Sequence, residues 1–144
     1  MKKTILLLLT TIVFVSCSKN DDNSEKQLNL TFQNMSGVWN FKSYIKPNGE
    51  TVNYVGQSAT LIDHAEILPT AKITTSFYYP NGVAQIEPCY GYYFDGNRIK
   101  NCLQVFDDAR VTSLTSTSMK LEYDTPRSFG TIYGDGAKAL ILTK

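Results

Sequence analysis

The sequence predicts an all-β fold, one domain of short antiparallel strands linked as a meander. From about residue 34 onward, apolar and polar residues alternate over short runs, the period-two pattern of half-buried strands. Turn signals separate the runs, as in Pro47-Asn48-Gly49, Pro80-Asn81-Gly82 and Asp95-Gly96. The links are short, which makes pairing of sequential neighbours the simplest topology. The pattern alone allows a barrel or a sandwich.

The first element in chain order is not part of that domain. Lys2 and Lys3 precede a nearly unbroken apolar run over residues 4–15. Twelve residues are too few to span roughly 30 Å of hydrocarbon, but they suit the core of a signal peptide. Val15-Ser16-Cys17 resembles the lipobox of bacterial lipoproteins, with Phe14 where that family usually has Leu. The resemblance implies cleavage before Cys17 and lipidation of its thiol by palmitate-type chains. Each buried methylene would supply roughly 0.8 kcal/mol, so two or three chains hold a protein on a membrane. The sequence is therefore divided into a signal peptide (1–16), a lipidated cysteine with a flexible tether (17–33) and a folded domain (34–144). Residues 18–27 contain no apolar side chain and read as solvated chain. Lys19 with Asp21-Asp22 resembles the short acidic export signal of certain outer-membrane lipoproteins; a plain polar linker explains the same residues. The expected location is the outer membrane, on its outer or its periplasmic face.

Strands are predicted at residues 38–45, where Trp39, Phe41 and Ile45 share one parity, and at 51–55 after the first turn. Residues 59–68 read as a strand or a short helix. Further strands are predicted at 71–79, 83–87, 90–94, 97–106, 110–114, 119–124, 130–133 and 139–143. Asp95-Gly96 signals a two-residue hairpin loop, which would place Phe94 opposite Asn97, Tyr92 opposite Ile99 and Cys89 opposite Cys102. The cysteines then form a non-hydrogen-bonded pair with Cα atoms roughly 4.5 Å apart, within disulfide range. Parity puts Tyr90, Tyr92, Phe94, Ile99, Leu103 and Val105 on one face. Cys89 and Cys102 fall on the other, polar face with Glu87, Tyr93, Arg98, Lys100 and Gln104. A three-residue turn or a bulge at Pro88 would shift this register. Counting agrees with the pairing, because three cysteines less a lipidated one leave two.

Met35-Ser36-Gly37-Val38-Trp39-Asn40-Phe41 resembles the opening of the lipocalin-like domain of small bacterial lipoproteins, where a Gly-x-Trp motif starts the first barrel strand. Tyr92-Tyr93-Phe94-Asp95-Gly96-Asn97-Arg98-Ile99 fits that family. Residues 111–121 resemble its late hairpin, and Ala139-Leu140-Ile141-Leu142-Thr143-Lys144 resembles its last strand. The resemblance implies an antiparallel meander barrel of about eight strands, with an interior either filled or open to one small ligand. It also implies a basic residue packed on the Trp, for which Arg127 and Lys138 are candidates. The barrel lining expected to meet an apolar or amphipathic ligand is Trp39, Phe41, Phe77, Tyr79, Tyr92 and Phe94. Inward tyrosine hydroxyls would favour an amphipathic ligand over a hydrocarbon. A surface interaction or inhibitor module with a filled barrel is the alternative.

Other chemistry finds little in these residues. The chain carries 14 basic and 13 acidic residues without a clustered basic face, so no nucleic-acid partner is expected. His64 is the sole histidine, and its neighbours Asp63 and Glu66 read as solvated loop residues. No catalytic residue, cofactor or metal site is expected, because phosphate-loop and Cys-x-x-Cys motifs are missing. Asp107-Asp108 and Asp135 read as solvent-facing turn residues.

Overall fold

Trp39, Phe41 and Ser43 point inward and Val38 and Lys42 outward along β1 (Gly37–Ile45), the strand that organises the sheet. The structure, a computed structural model, describes residues 25–144. The signal peptide and Cys17 lie outside the described residues. β1 pairs with β2 (Thr51–Asn53) through its last residues and with β3 (His64–Leu68) through its first. β4 (Lys72–Tyr78) and β5 (Ala84–Tyr90) continue the sheet beyond β3. β1 also pairs with β10 (Ile132–Thr143), so the first strand meets the last. From β10 the order runs through β9 (Ser118–Phe129), β8 (Arg110–Leu114) and β7 (Arg98–Lys100) to β6 (Tyr93–Asp95). All these pairs are antiparallel, and the sheet curls into a half-barrel.

The expected all-β meander is present, but in place of the expected barrel of about eight strands the described residues form ten strands with an open seam. The seam separates β5 from β6, which are consecutive in the chain yet end the hydrogen-bonded path at opposite edges. Residues 97–106 are not one strand: β7 stops at Lys100, Asn101 takes φ 61°, and a 3-10 turn at Gln104–Phe106 drives Val105 and Phe106 into the core. Residues 59–68 are loop up to Asp63 and strand from His64. The two short strands predicted after Gly130 are one long β10, whose register shifts between Ile132 and Ala137 across Gly134-Asp135-Gly136. That bulge breaks the alternation without ending the strand.

The hairpin at Asp95-Gly96 forms in a different register. Tyr93 faces Lys100, Phe94 faces Ile99 and Asp95 faces Arg98, so Gly96 and Asn97 make the loop. The predicted face for the cysteines is reversed. Cys89 and Cys102 are both buried in the core, whereas Tyr90 and Leu103 are exposed. One left-handed residue on each arm inverts the parity: Gly91 at φ 67° after β5, and Asn101 after β7. The Asn101 amide holds this crossing by donating to the Gly91 carbonyl at 3.1 Å. The two cysteines still meet, with Cα atoms 5.2 Å apart and thiol sulfurs at disulfide distance. Their link joins the end of β5 to the chain just past β7, across the seam.

The folded part begins before residue 34. In the segment assigned to the tether, Leu28, Leu30 and Phe32 pack on the core, and the Leu28 N–H donates to the Leu114 carbonyl at 2.7 Å. The Glu25 carboxylate accepts from the Thr115 and Thr117 hydroxyls. A single helical turn, α1 (Phe32–Met35), is capped by Thr31, whose hydroxyl accepts the Asn34 N–H at 3.1 Å. Met35 is fully buried, and its carbonyl accepts the Trp39 indole N–H at 2.6 Å. α1 thereby closes one end of the half-barrel. Lys144 completes that end, its ammonium 4.5 Å from the Trp39 ring centroid. This lysine, rather than Arg127 or Lys138, is the basic residue on the Trp. Arg127 lies over Tyr123 and pairs with Asp107 at 3.2 Å, and Lys138 donates to the Asp124 carbonyl at 2.9 Å. Gly37 is required beneath Lys144: its φ is +132°, and a Cβ there would lie 2.9 Å from the lysine Cε.

Candidate functional site

At the end of the half-barrel opposite α1, the loop over residues 54–63, the β4–β5 hairpin and the β9–β10 turn surround one buried acidic residue, Asp63. Its position follows from strand parity. Asp63, Ala65 and Ile67 all face inward, so Asp63 continues the core side of β3 by one step toward the open end. Its backbone carbonyl accepts the Phe41 N–H at 3.1 Å, which ties the loop to β1. One carboxylate oxygen accepts the Tyr54 hydroxyl at 2.5 Å, and the other accepts the Tyr78 N–H at 2.7 Å. Gly56 passes over the carboxylate so closely that a Cβ there would lie 3.1 Å from Oδ2.

Asp63 is 2% exposed, which corrects its reading as a solvated loop residue. Burial, and after it the hydrogen bond and charge of Asp63, push the Tyr54 hydroxyl well above the ordinary tyrosine range. Tyr54 is thus held as a neutral donor. The Tyr54 ring meets Phe41 edge to face, with centroids 5.2 Å apart. The Thr131 hydroxyl donates to the Val55 carbonyl at 2.6 Å and fixes the loop to the β9–β10 turn.

Two clefts flank Asp63. The larger, of about 580 Å³, is walled by Phe41, Tyr54, Val55, Leu61 and Ile62, with Lys42, Asn53, Ser58 and Thr60 at its polar margin. The smaller, of about 130 Å³, lies among Phe77, Tyr78, Tyr79, Gln85 and Tyr133. Val55, Ile62 and Val83 of the loops, and Tyr133 at the start of β10, are exposed apolar residues of this end.

The six residues expected to line a ligand site are split by the structure. Phe41 reaches the larger cleft, and Phe77 and Tyr79 the smaller. Tyr79 is 41% exposed, a rim rather than an interior residue, and its hydroxyl donates to Gln85 at 2.8 Å. Trp39 and Tyr92 are fully buried in the packed core, and Phe94 is half-buried, stacked on Phe32 at 4.9 Å. None of these three borders either cleft. Tyr54, Leu61, Ile62 and Asp63 carry no motif that marks them as site residues. The signal for Asp63 is that it falls two and four residues before the apolar Ala65 and Ile67, and it becomes legible only if residues 64–68 are a strand.

His64 points away from Asp63 on the opposite parity, its Nδ1 3.0 Å from the Ile62 carbonyl, and Glu66 is exposed on that same side. Asp107 and Asp108 do not simply face water. Asp107 pairs with Arg127, and Asp108 with Lys100 at 2.6 Å and Arg98 at 3.3 Å. These cations hold the Asp108 carboxyl below its ordinary value, the Lys100 hydrogen bond most of all. Among the described residues, no group of three or more His, Cys, Asp or Glu side chains is placed to hold a metal. No described helix is long and apolar enough to cross a membrane. Compared with protein-family models, with curated proteins and with solved structures, the chain matches none.

Proposed function

We propose that the protein is a lipid-anchored, lipocalin-like envelope protein that binds a small amphipathic molecule at the open end of its half-barrel. The observation that carries this reading is the cleft of about 580 Å³ beside Asp63, where apolar walls converge on a few fixed polar groups. The closed end supports it too. Trp39, Met35 and Lys144 close that side of the core, which leaves the Asp63 end as the one that carries the clefts. The lipobox-like Val15-Ser16-Cys17 supports anchoring at the outer membrane through acyl chains on Cys17. The reading is of a binding protein rather than an enzyme.

The interior itself is packed: Trp39, Tyr92, Phe106, Ile67 and Leu121 are all buried in one cluster. Binding therefore takes place at the mouth, not deep in the barrel. Titration of the purified protein with Nile red, a neutral solvatochromic dye, tests the reading. A saturable, blue-shifted signal displaced by octyl glucoside is expected. Absence of dye binding, together with no small molecule retained in native mass spectrometry, would overturn it. The exposed Val55, Ile62, Val83 and Tyr133 favour a second reading, in which this rim is a contact surface for another protein.

A further inference from the structure

We infer that the larger cleft takes an amphiphile with a cationic head, an alkylammonium ion held in the cleft by the field of the Asp63 carboxylate in its wall. This rests on the ligand-binding reading above and adds the chemical class of the ligand. The capacity of Asp63 to accept hydrogen bonds is only partly used. A carboxylate offers about four lone-pair positions, and this one receives two donors, the Tyr54 hydroxyl and the Tyr78 N–H. None of the ion pairs among the described residues includes Asp63. A carboxylate on a residue 2% exposed and without a cation is costly, and a cationic group brought to it removes much of that cost.

Its surroundings are built for the rest of such a ligand. Asp63 borders both clefts, so its charge acts on whatever occupies either. Phe41 and Tyr54 form an edge-to-face corner next to the carboxylate, with an interplanar angle of 88°. Aromatic faces in that position attract an ammonium group in their own right. Val55, Leu61 and Ile62 supply apolar wall for an alkyl chain leaving the corner. Lys42, the other charged residue of the lining, is exposed and makes no ion pair with Asp63. An anionic head would meet the buried carboxylate as a like charge.

The test is displacement of Nile red by three octyl compounds at pH 7: octylamine (protonated and cationic at this pH), octyl glucoside and octanoate. Octylamine is expected to displace the dye at a concentration about tenfold lower than octyl glucoside, with octanoate weakest. In Asp63→Asn the octylamine advantage should vanish while octyl glucoside still competes. Ile62→Lys, at an exposed wall position, serves as the second variant if Asp63→Asn does not fold; it should cut octylamine binding selectively. Tyr54→Phe, which leaves the carboxylate in place with one donor fewer, should keep the advantage. Equal competition by all three compounds overturns the inference and leaves amphiphile binding standing. An advantage that survives in folded Asp63→Asn, or that Ile62→Lys leaves unchanged, overturns it as well. Failure of every compound, and of the dye, sinks the broader reading with it.

Discussion

Gly37 and Lys144 lie at opposite ends of the domain sequence, yet the pairing of β1 with β10 stacks them over Trp39. Any side chain at residue 37 must displace the lysine and also hold a backbone angle of +132°. Gly37→Ala should lower stability by about 1–3 kcal/mol, read as a shift in the urea midpoint. Lys144→Ala in the same background should recover part of that loss, because the steric component is removed and the backbone strain is not. Purely additive effects would count against the stacking. The buried tyrosines make a second expectation at this scale. Burial pushes the Tyr92 hydroxyl up to about 12, and moves Tyr54 and Tyr123 upward as well. The folded state therefore keeps these phenols protonated when the unfolded chain has begun to lose its protons. Their contribution is fully present below about pH 10 and is lost as pH rises from there toward the folded values. Urea midpoints should be level from pH 8 to about pH 9.5 and fall steeply above pH 10. A flat profile to pH 11.5 would contradict the assigned burial.

Across the seam, chain continuity and one cysteine pair substitute for a hydrogen-bonded ladder. The pair spans 13 residues, and a loop of that size is worth about 3 kcal/mol when closed. Intact protein under non-reducing conditions should carry no free thiol at Cys89 or Cys102. Cys89→Ala with Cys102→Ala should destabilise by about 2–4 kcal/mol, and hydrogen exchange should speed up first in β5, β6 and β7. Uniform acceleration across the sheet would argue against a local clasp. How far such elements could be read from sequence depends on whether their parity is unbroken. β8 forms over the residues that its alternation marks, and β1 extends one residue beyond its predicted start. The β6–β7 hairpin departs in register because its loop is Gly96-Asn97 rather than Asp95-Gly96, and the cysteines depart in face because Gly91 and Asn101 each flip the chain, which a period-two reading has no way to count. Gly134-Asp135-Gly136 looked like a turn and is a bulge within β10, since the partner strand β9 runs past it. Asp63 has the parity of a core residue but the chemistry of a loop residue, so its residue type points the opposite way from its position. Its Tyr54 partner, nine positions away, is set by the fold of the loop rather than by any pattern in the sequence.

For the whole molecule, the central expectation is that Cys17 fixes it to a membrane while the domain folds independently of the lipid. Cys17→Ser, expressed in a bacterium, should lose incorporation of labelled palmitate and leave the membrane fraction. It should still bind Nile red as the anchored form does. Retention in the membrane fraction without label would refute the anchor. The placement of Glu25 gives this arrangement a direction. Glu25 is held by Thr115 and Thr117 at the start of β9, and the cleft lies by Gly130, beyond the far end of that same twelve-residue strand. A strand of that length covers on the order of 35–40 Å. If the chain before residue 25 leads to a bilayer, the molecule is attached at its sealed base, with the clefts at the far end of β9. Attachment and binding then occupy opposite poles, much as a cup is held by its foot and filled at its rim.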